Sequence, residues 1–341
     1  MNLKELASSL GLSQTTVSRA LNGYPEVSEA TRVRVEEAAS RLGYRANASA
    51  RRLATGRSGA FGMVLRTEAY GPHTVEFLGG LAERLFHDEI DIVVSTVEST
   101  EDEMATYRRA AASKKVDAFI LASPYPNDPR VALLSELGVP FLLHGRSEGT
   151  PPHAWLDIDN RGAAERATAH LVELGHRRIA MINGPKGMTF ANHREAGFRA
   201  ALGARGITPP PAFLVNTTFT DEMGFRYAQQ MLERPDPPTA FVAGSMMTAL
   251  GVFRAIRSSG HELGNDVSMI AHDDVFPYLN ADTMVPTMST TRSSIRAAGT
   301  RVGELLLQLL SGKPAADIHE LWPVEMVLRE STGRAPLTAS V

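Results

Sequence analysis

The 341-residue sequence predicts a small all-α helix-turn-helix head joined to an α/β core of two lobes with parallel sheets. Apolar residues recur at helical spacing through the first 44 positions, with a tight turn between the first two helices. Farther along, short apolar runs alternate with amphipathic helical stretches, which is typical of buried parallel strands. An apolar fraction of 43% over this length is enough for a small head and a large core.

Two short helices around a turn open the head. Leu3, Leu6 and Leu10 recur at helical spacing. Gly11 then permits a sharp turn, and Ser13 can cap the helix that follows. This arrangement predicts a helix-turn-helix motif, and an ordinary helical hairpin is the alternative.

The second helix has a short, polar and basic outward face. Val17 and Leu21 point inward because residues four apart lie on one side of a helix. The outward face then carries Gln14, Thr15, Ser18 and Arg19. Amides, hydroxyls and a guanidinium can read the hydrogen-bonding pattern of base edges in the major groove of DNA. A solvated face without a partner is the alternative interpretation.

A third helix is predicted from Ser28 to Leu42. Ser28 is suited to cap its start, and Gly43 to end it. The apolar stripe of this helix is predicted to consist of Val33, Val35, Ala38, Ala39 and Leu42. Three helices of this size make a minimal core that supports itself.

Charge is distributed unevenly along the chain. Residues 1–60 contain nine basic and five acidic side chains, whereas the whole chain has a net charge of −3. The head is therefore positive and the remainder negative, which directs attraction for phosphate to the head. A solvated basic surface is the alternative.

Composition also excludes several classes of protein. With no apolar run of membrane-spanning length and no secretory signal, we expect a cytoplasmic protein without a membrane partner. The chain has no cysteine, and its ten histidines show no HExxH or similar spacing, so we expect no metal and no cofactor. Neither a Walker A run nor a GxSxG motif is present, and we expect no enzyme activity.

The core is predicted as two successive sets of strands and helices. The apolar runs of the first set are FGMVL, DIVVST, DAFILAS and VPFLLHG. After a helix from Arg161 to Leu174, the runs of the second set are RRIAMING, FLVNTTF, TAFVAGS and VSMIAHDD. Ligands of such sheets bind at the carboxyl ends of the strands, so we expect a binding cleft between the two lobes.

Longer motifs occur in both parts of the chain. The head contains LASSLGLSQTTVSRALNG and VSEATRVRVEEAASRLGY, and the core contains DIDNRGAAERATAHLVELGHRRIAMINGP, HREAGFRAAL and DVSMIAHDD. The first two resemble the DNA-binding head of the LacI/GalR family of transcription regulators, and the others resemble that family's periplasmic-binding-protein-like core. The resemblance implies a head over 1–44, a hinge over 45–57, a first lobe over 58–158 and 290–318, and a second lobe over 159–289 and 319–335.

The resemblance implies a set of DNA contacts. In the family the hinge becomes helical only on operator DNA, and Leu53 matches the leucine that wedges into the minor groove and bends the duplex. Packing of Leu53 on the core is the alternative. Ala46 stands where family members commonly have proline, which leaves the start of the hinge helix less defined. The implied DNA-binding residues are Ser13, Gln14, Thr15, Ser18, Arg19, Asn22, Asn47, Ala50 and Leu53.

The resemblance also implies an effector pocket. Arg194 matches the family's effector-gripping arginine, and Asp273 matches an aspartate that accepts from ligand hydroxyls or ring nitrogens. Phe219 matches an aromatic position where a ring can stack on the apolar face of a sugar. Gly145 replaces an aspartate common in relatives, which changes the hydrogen-bonding groups of the pocket. Interdomain ion pairs or core contacts are the alternatives. The other implied effector-binding residues are Ser245, His144 and Arg146.

The function implied by the resemblance is that of a DNA-binding repressor of carbohydrate-utilisation genes. AHDDVFP, STTRSSIRAAG and VPFLLHGRS most resemble the branch that controls α-glucoside use in proteobacteria, so an α-glucoside is the expected effector. We expect a homodimer on a pseudo-palindromic operator, with the helix around Val75 to Leu85 at its interface. The alternatives are a solute-binding receptor and a regulator that responds to a purine or a phosphosugar.

Overall fold

The computed structural model describes residues 2–44, 57–67 and 71–336. The predicted hinge contacts Asn47, Ala50 and Leu53 lie outside the described residues. Three helices form the head, as the sequence predicts: α1 (Leu3–Leu10), α2 (Gln14–Leu21) and α3 (Glu29–Arg41).

Side-chain caps determine where the head helices begin. The Asn2 side chain accepts from the backbone N–H of Glu5 at 3.0 Å, and the Glu5 carboxylate accepts from the backbone N–H of Asn2. Ser13 and Ser28 each accept from the backbone N–H three residues on. Gly11 ends α1 with a left-handed φ of 66°, so the predicted tight turn is confirmed.

Most of the predicted apolar positions of the head are buried. Val17 and Val35 are fully buried between the helices. The prediction is wrong for Val33 and Leu42, which are 42% and 37% exposed. The buried residues of α3 are Val35, Ala38 and Ala39. Val33 precedes Val35 by two residues and so lies on the opposite side of the helix.

The first sheet of the core is a six-stranded parallel sheet. Its strands are β1 (Ala60–Arg66), β2 (Asp91–Val97), β3 (Ala118–Ala122), β4 (Phe141–His144), β5 (Ala154–Ile158) and β11 (His319–Trp322). The spatial order is β11-β5-β4-β3-β1-β2. One face is covered by α4 (Pro72–Leu85) and α11 (Ile295–Leu310), and the other by α5 (Thr100–Ala112) and α6 (Pro129–Glu136). The central strands β1, β3 and β4 are therefore buried on both faces, as parallel sheets require.

The second sheet also has six strands. They are β6 (Ile179–Asn183), β7 (Leu214–Asn216), β8 (Ala240–Ala243), β9 (Ser268–Asp273), β10 (Ser289–Arg292) and β12 (Glu325–Val327), in the order β12-β10-β9-β8-β6-β7. All pairs are parallel except β10 with β12. One face carries α7 (Asn160–Glu173) and α8 (Thr189–Gly203), and the other carries α9 (Asp221–Leu232) and α10 (Met246–Ser258).

The chain passes between the two sheets three times: between β5 and α7, between β10 and α11, and between β11 and β12. The predicted lobe boundaries at 290 and 319 are wrong by a few residues. β10 pairs with β9 in the second sheet, and β11 pairs with β5 in the first. Strand pairing keeps each segment in its sheet until the strand ends, so the chain crosses later than predicted.

The strands that the apolar runs did not predict are short or polar. The sequence runs predicted eight strands, and they did not include β5, β10, β11 and β12. Strands such as STTR and HELW lack the apolar run that signals a buried strand. Among the described helices, none is both long and apolar enough to cross a bilayer.

Two glycines allow α4 and α11 to pack with their backbones in contact. A Cβ added at Gly80 would overlap the carbonyl oxygen of Arg296, and one added at Gly299 would overlap the carbonyl oxygen of Phe77. The Thr300 hydroxyl donates to the Gly80 carbonyl at 3.1 Å. The helix pair therefore depends on the absence of side chains at these two positions.

Replacing Gly80 by Ala is expected to lower the free energy of unfolding by about 3 kcal/mol, because α4 and α11 must separate to admit the methyl group. Gly203→Ala, at the end of α8, is the matched control, because nothing lies within 4 Å of a Cβ there. Alanine should be neutral or stabilising by up to about 1 kcal/mol at that site. Urea unfolding followed by circular dichroism measures both, and equal effects would contradict the close packing.

Candidate functional site

The outward face of α2 presents the predicted polar side chains. Gln14, Thr15 and Arg19 are exposed, and Ser18 is half-buried. Val17 is fully buried beneath them and fixes the rotation of the helix on the head core. The structure therefore brings an amide, a hydroxyl and a guanidinium together on one accessible surface.

Two other predicted DNA contacts have roles inside the head. The Ser13 hydroxyl accepts from the backbone N–H of Thr16 at 3.0 Å and so caps α2. The Asn22 side-chain amide donates to the Ser18 carbonyl at 2.8 Å and closes the other end of the helix. Ser13 remains exposed, so its hydroxyl is accessible to solvent in addition to capping.

A second candidate site lies where the carboxyl ends of the strands meet, and Arg194 is at its centre. Arg194 is on α8 and only 7% exposed. Its Nε donates to Asn160 Oδ1 at 2.7 Å, and its Nη1 donates to the Gly244 carbonyl at 2.7 Å. Burial lowers the pKa of Arg194 to about 10, although Asp274 and Asp157 partly offset this effect. The guanidinium therefore remains charged at neutral pH, and the described residues offer its Nη2 no hydrogen-bond partner.

Aromatic rings form one wall of this site. The Phe190 ring lies 5.3 Å from the Arg194 guanidinium carbon and 6.0 Å from the Phe219 ring. His73, from α4 of the first lobe, lies 5.6 Å from Phe219 and 4.9 Å from Phe276. Rings from both lobes thus converge on the predicted stacking residue Phe219, which is half-buried.

The carboxylate paired with His73 is that of Asp274, one residue after the predicted Asp273, and its charge also partly offsets the effect of burial on the pKa of Arg194. Asp274 accepts from His73 Nε2 at 2.7 Å, which joins the two lobes. Burial opposes ionisation of Asp274, but His73, His272 and Arg194 outweigh it and lower the pKa of this carboxyl to about 2. Asp273 instead accepts from the backbone N–H of Val275 at 2.8 Å.

The remaining predicted effector-binding residues have three different structural environments. His144 stacks on Phe77 at 4.7 Å, and burial lowers its pKa, so it is neutral at pH 7. Arg146 donates to Asp157 Oδ2 at 2.8 Å. Ser245 is fully buried and caps α10 by accepting from the Thr248 backbone N–H.

Sequence reasoning missed several residues of this site. Asp274 directly follows Asp273 in the HDD run, but the run itself does not say which of the two carboxylates contacts the other lobe. Phe190 precedes the HREAGF motif by three residues, and a helical turn brings it beside Arg194. His73 had no signal in the sequence, because its proximity to Asp274 comes from the docking of two lobes. Within the described ranges, no group of three or more His, Asp or Glu side chains could hold a metal ion.

Comparison with known proteins identifies both parts of the chain. Residues 2–47 match the model for bacterial regulatory proteins of the lacI family, and residues 168–332 match a periplasmic binding protein-like domain. The regulator AglR of Rhizobium meliloti (strain 1021) is 46% identical over 340 residues, covering 98% of this chain and 95% of AglR.

Two solved structures show the same architecture. The lac repressor dimer bound to operator and the anti-inducer ONPF is 28% identical, with a TM-score of 0.83, covering 98% of this chain and 99% of that one. The CelR–cellobiose complex is 29% identical, with a TM-score of 0.71, covering 97% and 99%. The chain belongs to the LacI family of bacterial transcriptional regulators.

Proposed function

We propose that this regulator is a homodimeric repressor that binds operator DNA through α2 and releases it when a neutral sugar, an α-glucoside, enters the cleft around Arg194. The observation that carries the effector part is the juxtaposition of Arg194, the ionised Asp274 and the rings of Phe190 and Phe219. These groups supply a donor, an acceptor and apolar faces, which together match the hydroxyls and C–H faces of a sugar.

Charge in the cleft favours a neutral sugar over a phosphosugar. Asp274 is ionised and buried, and its charge acts on Arg194, so a phosphate brought to the guanidinium would meet the repulsion of that carboxylate. Sugar hydroxyls can donate to Asp274 instead. The 46% identity to AglR supports an α-glucoside in particular, and the CelR structure binds the disaccharide cellobiose.

The surface around α4 supports a dimer of this chain. Val75 on α4 is 64% exposed, and Phe86 just beyond it is 78% exposed. Val94, on the open edge strand β2, is 40% exposed. Covering these apolar side chains in a dimer would remove their surface from water, which favours association. A two-fold dimer would also present two recognition helices to a pseudo-palindromic site. A chain that acts on operator DNA in this way works in the cytoplasm and needs no enzyme activity.

Binding of DNA is expected to depend on Arg19. The probe is a duplex selected from a random pool by the unmodified protein, and affinity is measured by fluorescence anisotropy. Arg19→Ala should weaken binding about tenfold or more, since a bidentate contact to a base contributes about 1–3 kcal/mol. Arg199→Ala removes an exposed arginine on α8, in the second lobe. This variant is the control and should bind the duplex as the parent does. Equal binding by both variants would exclude Arg19 from the interface.

Binding of a sugar is expected to depend on Arg194. Titration calorimetry with sucrose, maltose and trehalose should give saturable heat, whereas glucose 6-phosphate and hypoxanthine should give none. Arg194→Lys should lower the affinity about tenfold or more, because an ammonium cannot reproduce the fixed fork of the guanidinium. Arg199→Lys, on the same helix, is the control. Heat with hypoxanthine or glucose 6-phosphate alone would overturn the sugar assignment.

Sugar and DNA should also oppose each other. The sugar that binds is expected to lower affinity for the selected duplex, and linkage requires the duplex to lower affinity for the sugar by the same factor. Anisotropy titrations with and without saturating sugar measure the first factor, and calorimetry with and without duplex measures the second. Stronger DNA binding in the presence of sugar would identify a corepressor instead of an inducer.

A further inference from the structure

A continuous series of polar side chains runs from the effector arginine to a contact between the lobes. We name it the crossover relay, and it consists of Arg194, Asn160, Asp157, Arg146, His193 and Glu148. Its central members lie at the first passage of the chain between the sheets, because Asp157 is on β5 and Asn160 begins α7. The relay therefore follows a segment that must adjust when the lobes move relative to each other.

The inner half of the relay, which consists of Arg194, Asn160 and Asp157, holds the Arg194 side chain in place. Asn160 accepts from Arg194 Nε at 2.7 Å and donates from its own Nδ2 to Asp157 Oδ1 at 3.2 Å. Asp157 and Asn160 are 5% and 2% exposed, so water cannot readily replace either partner. The orientation of the guanidinium thus depends on an amide that is itself oriented by Asp157.

The outer half of the relay crosses between the lobes. Arg146, just beyond β4, donates from Nε to Asp157 Oδ2 at 2.8 Å and from Nη2 to His193 Nδ1 at 3.3 Å. A guanidinium can only donate, so Nδ1 of His193 is the acceptor and its Nε2 carries the proton. That Nε2 donates to Glu148 Oε1 at 2.9 Å. His193 is on α8 of the second lobe, and it therefore contacts two residues that follow β4 of the first lobe.

We propose that Asp157 is the positioning residue of the effector site, and that it couples the orientation of Arg194 to the lobe contact between Arg146 and His193. The inference rests on the proposed function, because it assigns Arg194 to the effector. Asp157 fits this role because its two oxygens have separate partners. Oδ1 accepts from Asn160 and from the backbone N–H of Ile158, and Oδ2 accepts from Arg146.

Asp157→Asn tests both contacts with almost no change in shape. An amide nitrogen at the position of Oδ1 would face two donors, Asn160 Nδ2 and the backbone N–H of Ile158, whereas one at the position of Oδ2 faces Arg146 alone. We therefore expect the nitrogen toward Arg146, which loses its acceptor, while the uncharged amide oxygen left at the inner half accepts from Asn160 more weakly than the carboxylate does. Asp159→Asn is the matched control, since Asp159 caps α7 at Gly162 and pairs with Arg166 at 3.2 Å, and asparagine retains the cap.

The first readout needs no sugar. The Arg146 guanidinium lies 5.5 Å from the centre of the Trp155 ring, and Trp322→Phe leaves Trp155 as the single tryptophan of the chain. In that background, Asp157→Asn should change the intensity and the iodide quenching of Trp155 emission, because Arg146 loses its anchor. Asp159→Asn should leave both unchanged. Unchanged emission in Asp157→Asn would overturn the outer half of the relay.

The second readout is calorimetry with whichever of sucrose, maltose and trehalose binds the parent protein. Asp157→Asn should bind that sugar about tenfold more weakly, a loss equivalent to about 1.4 kcal/mol, and Asp159→Asn should match the parent. In the double variant with Arg194→Lys, the two losses should not multiply, because both act through one guanidinium. Parent-like binding by Asp157→Asn, or fully multiplicative losses, would overturn the proposal.

The possible outcomes distinguish a failure of the relay hypothesis from a failure of the proposed function. If no sugar binds the parent protein, the sugar assignment fails, while the Trp155 readout still decides whether Asp157 anchors Arg146. If sugar binds and only Arg194→Lys weakens it, the effector site stands and the relay is wrong. Thermal melting of each variant is measured alongside. Should Asp157→Asn fail to fold, Asn160→Ser carries the same calorimetric prediction for the inner half.

Discussion

The chain passes between the two sheets three times, and these passages fix how the lobes are joined and where the cleft lies. Because every one of them leaves a strand at its carboxyl end, the carboxyl edges of both sheets face the same interlobe space. Residues far apart in sequence are thereby brought together, and His73 of α4 meets Asp274 beyond β9 at 2.7 Å. A cleft at this place follows from the connectivity, and the side chains at the strand ends decide its chemistry.

A cluster of buried charged side chains stabilises the first-lobe side of that cleft. Arg130 on α6 donates to both oxygens of Asp128 and to Glu103 Oε1 at 3.0 Å, and all three side chains are buried. Burial disfavours the charge of Arg130, but its bonds to Asp128 outweigh that effect and raise its pKa. The cluster fixes the loop after β3, in which the Pro124 carbonyl accepts from the Thr189 backbone N–H of the second lobe at 3.0 Å.

Contacts between the lobes therefore occur on several sides of the cleft, and they differ in rigidity. The Pro124–Thr189 bond joins two backbones, whereas the pairs His73–Asp274 and Arg146–His193 join side chains, and all of these except Asp274 are partly exposed. Side-chain bridges can exchange partners with a ligand at small cost, because hydrogen bonds to a ligand replace those that are broken. Such an arrangement allows the lobes to shift when the cleft is occupied.

Local sequence patterns are enough to predict the head, the alternating core and most of the polar surface that would read DNA. These features depend on local spacing: Val17 is buried and Gln14, Thr15 and Arg19 are exposed because a helix of this period must place them so. The packing of the two lobes was needed to show which sheet β10 and β11 join, which of two adjacent aspartates pairs with His73, and that Arg146 bonds to Asp157 and His193. Those outcomes depend on strand pairing and on contacts between lobes, and no local pattern of residues encodes them.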